Sequence, residues 1–239
     1  MQSRTSLICA LVLGAWSLMP STGLADKPKN ITQGELAIAP TYCVDTMGLA
    51  GYGDAYYNTS PRAPHWVSLM GKGFWAMHHY CYALINLARS EKFGVSDQQR
   101  QALRMSAIND IDYVLTNTTE SFVMRPELLV KKGAVLVTLH QGRAAVAAFR
   151  EASQSKQDYW PAYTHWAELL RSNGKVEEAK TVVEAGLKYA PDAKLLQSML
   201  ADLSNASSKR AQPKKMSPQG QAAAPEQELK TDTSSGEAK

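Results

Sequence analysis

The run Met77-His78-His79-Tyr80-Cys81 places a thioether, two imidazoles and a thiol within five residues. Soft sulfur with imidazole suits copper, and thiolate with imidazole suits zinc, so metal or redox chemistry would sit here if anywhere. The spacing works against it. On a helix His78 and His79 point about 100° apart, and Cys81 lies two residues past His79, so they do not converge as ligands four residues apart would. Trp75 shares a face with His79, and His78 with Tyr82, which reads as packing or polar contact. The sequence also lacks the haem pattern of two Cys followed by His, the Walker A loop, Gly-x-Ser-x-Gly and the dinucleotide glycine pattern. The carboxylate pairs Asp110 with Asp112 and Glu177 with Glu178 read as solvated helix faces. No catalytic residue, cofactor or metal is therefore expected, with a metal or redox site at His78, His79 and Cys81 as the rival reading.

A second chemistry is carbohydrate stacking on Trp66, Trp75, Trp160 and Trp166. Trp160 and Trp166 fall where large side chains fill space between helices, so core packing is the expected role. A glycan-binding module stays as the alternative.

The elements that must position these residues come from 239 residues, 44% of them apolar, with a mean hydropathy of −0.30. That composition excludes both wholesale disorder and a polytopic membrane protein. Lys and Arg number 26 against 22 Asp and Glu, a net charge of +4, too small a surplus to predict a nucleic-acid partner. Residues 1–25 have the layout of a cleavable secretory signal: Arg4, an apolar run from Leu7 to Met19, Pro20, then Gly23-Leu24-Ala25 before Asp26. The run is too short for the roughly 20 residues of a spanning helix, so no stable membrane insertion is expected after cleavage. Cys9 leaves with the signal. Cys43 and Cys81 remain, and in an oxidising compartment such a pair reads as a disulfide closing a 38-residue loop, the alternative being two independent thiols.

Residues 26–64 are rich in Gly, Pro, Asn, Ser and Tyr and predict an irregular N-terminal arm, with Tyr42, Tyr52, Tyr56 and Tyr57 too many for a plain linker and part of the arm packed on the first helices, the alternative being an aromatic ligand lip. Helical periodicity runs from His65 to about Ser204. Trp66, Leu69, Met70, Met77, Tyr80, Leu84 and Leu87 recur every three or four residues, as one long helix or a short one leading into a long one. Ser90 to Val95 breaks it, and Ser96-Asp97 caps a second stripe through Leu103, Ala107, Ile111 and Val114. Residues 65–125 thus form an atypical antiparallel helical hairpin.

Sliding residues 126–159 over 160–193 pairs Gly133 with Ala167, Leu136 with Leu170, Ala145 with Ala179, Phe149 with Val183 and Ala152 with Gly186. Small residues let two helices cross closely and the large pair fills the space between, so one hairpin is repeated at a period of 34. This pattern resembles the tetratricopeptide repeat (TPR) family, whose units carry small residues at their eighth, twentieth and twenty-seventh positions. The second unit matches better, with Gly174 at its turn and Pro191 closing it; the first has His140 at the turn and Gln157 at the close. Residues 126–193 are therefore read as two TPR-like repeats, residues 194–204, with Leu195, Leu196, Met199, Leu200 and Leu203, as a capping helix, and residues 205–239 as a disordered tail. The expected fold is all-α, an antiparallel helix-hairpin solenoid.

The resemblance implies a groove lined by the first helix of each unit, here Glu127, Val130, Ala134 and Val137, then Thr164, Glu168 and Arg171, then Ser198 and Asp202. The family's clamp for C-terminal carboxylates needs Asn where this chain has Ala134 and Glu168, so a protein or peptide segment of mixed polarity is the expected partner. The function this implies is a non-enzymatic periplasmic adaptor in assembly of an envelope, pilus or exopolysaccharide complex, by analogy of fold.

Overall fold

The computed structural model describes residues 27–48 and 60–211, with side chains as far as Asn205. Residues 1–25, read above as a signal, Tyr52, Tyr56, Tyr57 and the stretch beyond Ala211 lie outside the described residues. The chain is all-α: every regular element among the described residues is a helix. In order these are α1 (Gln33–Ala37), α2 (Tyr42–Thr46), α3 (Ala63–Met70), a 3₁₀ turn over Gly71–Ala76, α4 (Met77–Ser90), α5 (Asp97–Thr116), α6 (Arg125–Thr138), α7 (Gly142–Ser155), α8 (Trp160–Ser172), α9 (Val176–Tyr189) and α10 (Lys194–Ala211).

Residues 27–48, read as irregular, hold two one-turn helices, because local caps and distant pins replace the missing periodicity. Thr32 and Glu35 close a reciprocal capping box at the start of α1. Glu35 then accepts Arg89 Nε at 2.8 Å, Arg89 Nη2 at 2.9 Å and Lys92 Nζ at 2.9 Å. On α2 the fully buried Asp45 accepts from Ser60 Oγ at 2.7 Å, Arg62 Nε at 3.1 Å and Trp66 Nε1 at 2.6 Å. A buried carboxylate stripped of such donors costs about 3–5 kcal/mol, so both acids fix the arm's position. Beside Asp45, Cys43 is bonded to Cys81 of α4, with Cα atoms 5.6 Å apart.

The apolar stripe that starts near Trp66 divides. Pro64 starts α3 in its first turn and Gly71, at φ 62°, ends it; the 3₁₀ turn then leads into α4. Ser96 and Gln99 form a second capping box that starts α5, which folds back on α4.

From α6 onward the chain is two hairpins, α6 with α7 and α8 with α9, followed by α10 against α9. The small residues at the crossings explain the close approach. A Cβ on Gly133 would meet the Phe149 ring at 2.3 Å, and one on Gly186 would meet Tyr163 at 2.7 Å. Ala145, Ala152, Ala167 and Ala179 are fully buried. The two turns are built alike: His140 (φ 58°) and Gly174 (φ 75°) take the left-handed conformation, and Gln141 N donates to Leu136 O as Lys175 N does to Leu170 O, both at 2.9 Å. α10 extends seven residues beyond the expected end at Ser204, since the stretch to Ala211 contains no Gly or Pro and the first proline follows at Pro213.

The core divides in three: one under the arm and α3–α5, one between α5, α6, α7 and α8, and one between α8, α9 and α10. No helix among the described residues is long and apolar enough to cross a membrane.

Candidate functional site

The first helices of the hairpins, α6 and α8, lie side by side, and α10 lies beside α8. Their shared face carries charge along a line. Glu168 and Arg171, one turn apart on α8 and both about half exposed, form a two-pronged pair at 3.0 and 2.5 Å. Arg171 holds the Glu168 carboxyl below the ordinary carboxylate range and feels the charge of Asp202 on α10. Ser198 and Asp202 are both exposed.

Two groups absent from the sequence reading complete this line, His165 on α8 and Lys131 on α6. His165 stacks on Phe149, ring centres 5.8 Å apart, and burial, with Lys131 nearby, lowers its pKa. Their signal was present in the repeat, because Lys131 and His165 are 34 residues apart. The positions one residue earlier, Val130 and Thr164, are buried at 7% and 6% exposure. Thr164 turns its hydroxyl to Pro161 O at 3.0 Å, and Val130 packs in the second core. These two are thus wall rather than groove. Ala134 and Val137 are half-buried on α6.

Glu127, at the start of α6, is half-buried and accepts the Tyr80 hydroxyl at 2.9 Å. Burial raises the pKa of Tyr42, Tyr80 and Tyr159, and the Glu127 charge pushes each the same way. Tyr42 belongs to α2, so the arm and α4 close this end of the face. Glu168, Arg171, Ser198 and Asp202 are at its open end.

The sulfur and imidazole run of α4 does not assemble into a metal site. Cys81 has spent its thiol on Cys43. His78 bonds Trp75 O through Nδ1 at 2.7 Å, and His79 bonds Asp110 Oδ1 through Nδ1 at 2.7 Å, with its ring 3.8 Å from that of Tyr113. No three metal-ligating side chains cluster among the described residues. Asp110 corrects the sequence reading: it is fully buried, because the turn of α5 that carries Ala107, Ile111 and Val114 into α4 carries Asp110 in with them. Burial raises its pKa against the opposing pull of His79. Its neighbour Asp112 is at the surface and bonds Lys132 at 2.6 Å. A histidine oriented by a buried carboxylate could relay a proton, but no described nucleophile bonds it, and the pair reads as a core clasp between α4 and α5.

The tryptophans do not share a face. Trp66 donates to Asp45 under the arm, Trp75 packs at the edge of the first core, Trp166 carries the Arg150 guanidinium 5.6 Å from its ring centre, and Trp160 is 40% exposed.

Consecutive antiparallel hairpins with small residues at the crossings, closed by a further amphipathic helix, define a helical-repeat protein. Residues 136–203 match the tetratricopeptide repeat family. Over those residues the chain carries tetratricopeptide repeats. No curated protein matches it. Among solved structures, the first TPR of Spaghetti (RPAP3) bound to HSP90 peptide SRMEEVD shares 20% identity, with the match covering 53% of this chain and 96% of that one at a TM-score of 0.39.

Proposed function

We propose that this chain is a non-enzymatic adaptor of the bacterial periplasm, whose α6–α8–α10 face holds a segment of a partner protein during assembly of an envelope, pilus or exopolysaccharide complex. One observation carries the binding face: Lys131, His165, Glu168, Arg171 and Asp202 follow one another across α6, α8 and α10, each within electrostatic reach of the next. Both signs occur along this line, which selects a segment of mixed polarity over a uniformly charged one. Export is supported by the layout of residues 1–25 and by a bonded cysteine pair, which persists in oxidising compartments. Nucleic acid is not the partner on this reading, and after cleavage no segment inserts stably in a membrane.

The test is capture with crosslinking from cells expressing the tagged full chain. The double variant Glu168→Ala, Arg171→Ala should leave the melting temperature unchanged and reduce recovery of the crosslinked partner. Full recovery with that variant, together with loss on changing charges of α7 or α9, would move the binding face to the second helices. N-terminal sequencing of the exported protein should read Asp26 first; a chain that retains Met1 in the cytosolic fraction would refute the periplasmic assignment.

A further inference from the structure

Eight arginines have described side chains, and six of them, Arg62, Arg89, Arg100, Arg104, Arg125 and Arg171, pair with carboxylates. The two that bond no carboxylate among the described residues are Arg143 and Arg150, and both line the same cleft. It lies away from the α6–α8–α10 face, between α7 and the end of α8, where the two inter-helix turns come side by side. Val146, Leu169 and Leu170 are its apolar lining, and Asn173 and Lys175 line it as well. No acidic residue lines it. At about 570 Å³ it falls within the roughly 300–1,000 Å³ of ligand clefts.

Arg143 and Arg150 are seven residues apart on one helix, which sets their Cα atoms about 10 Å apart along the axis. In an extended chain residues two and four apart share a face, and four residues at roughly 3.3 Å each span about 13 Å, a distance that two long arginine side chains splaying outward can meet. Arg150 is held in place by the Trp166 ring rather than by an acid, which fixes the cation and leaves its charge uncancelled. Lys175 already has Glu178 at 3.0 Å and so contributes less.

We infer that this cleft is a second binding surface, taking an extended acidic segment of a partner protein with carboxylates four residues apart and an apolar side chain midway between them, all three on one face of the strand. The carboxylates meet Arg143 and Arg150 while the apolar side chain covers Val146 and Leu169. Paired arginine and carboxylate forks give direction as well as attraction. The surface is independent of the α6–α8–α10 face, so each can fail without the other.

The probe is a fluorescein-labelled peptide, Gly-Ser-Glu-Ser-Leu-Ser-Glu-Ser-Gly, titrated with the chain from Asp26 onward and followed by anisotropy at low and physiological salt. Saturable binding is expected, weakened by salt and reduced at least tenfold when both Glu are replaced by Gln. Arg143→Glu with Arg150→Glu should reduce it at least tenfold, and Arg143→Glu alone, which leaves the Trp166 contact intact, should reduce it several-fold. Glu168→Ala with Arg171→Ala should leave it within twofold. Binding that survives the arginine reversals, binding lost with the α8 pair instead, or no binding at millimolar protein would each overturn the proposal. So would sedimentation with phosphatidylglycerol vesicles that depends on Arg143 and Arg150 in the absence of peptide binding, which would assign the cleft to a lipid surface.

Discussion

The two ends of this molecule are held together by different physics. Residues 27–48 and 60–124 are fastened by a few long-range pins: the Cys43–Cys81 bond, Asp45 under Ser60, Arg62 and Trp66, Glu35 under Arg89 and Lys92, and Asp110 behind His79. From Arg125 to Leu203 most ion pairs are short-range, as between Arg171 and Glu168 or Lys175 and Glu178, apart from Arg125 with Glu151 across the first hairpin and Lys132 with Asp112 back on α5, and the hairpins are held by close crossings at Gly133, Ala145, Ala167, Ala179 and Gly186. A repeat gains stability from each nearest neighbour and can be read locally. The arm has no such repetition, and each pin is a separate solution.

The largest expected effect comes from cutting the covalent pin. Cys43→Ser with Cys81→Ser opens a 38-residue loop in the unfolded chain and should cost roughly 3–4 kcal/mol. If the two regions are as distinct as their contacts, hydrogen exchange should accelerate in α2 and α4 while protection in α8 and α9 stays. Equal loss throughout would show that the ends unfold as one unit.

A smaller effect is expected at a repeat crossing. Ala179→Leu forces a bulky side chain into a fully buried site in the third core and should cost about 1–3 kcal/mol. Thermal melting checks it, and an unchanged midpoint would mean that this crossing does not hold the hairpin. Exchange should rise in α8–α10 and not under the arm.

Glu35 gives a pH-dependent version of the same comparison. Arg89 above all, then the Thr32 backbone and Lys92, lower its folded pKa. The stability it contributes is fully present above its unfolded value of about 4.3 and is lost as pH falls toward the lowered folded value. Glu35→Gln should therefore destabilise by about 1–3 kcal/mol at neutral pH. The gap to the unmodified chain should stay constant from pH 6 to 8 and narrow below about pH 4. Denaturant titrations across that range would show it, and a gap that widens in acid would contradict the pin.

The smallest effects sharpen the comparison inside the repeats. His140 and Gly174 hold equivalent left-handed positions, but only glycine does so without steric cost. His140→Gly should raise stability by about 0.5–1 kcal/mol and Gly174→Ala lower it by about 1 kcal/mol. Two changes of the same sign would show that the turns are not equivalent.

The sequence by itself determined the repeat. Gly133 and Ala167, Ala145 and Ala179, Phe149 and Val183 had to match because one hairpin geometry is used twice, and a helix crossing admits few side-chain sizes at its centre. The caps of α5 and the division of the first apolar stripe were equally local, written in Ser96, Gln99 and Gly71. Only the tertiary structure decided which carboxylates are inside. Asp110 and Asp112 look alike in the sequence, two residues apart on one helix, but α5 turns the first to His79 and the second to Lys132. Glu35 finds Arg89 across 54 positions, and nothing in either neighbourhood names the other. Any carboxylate attracts any cation, so charge alone cannot choose a partner; apolar burial places the helices, and the placement selects the pairs.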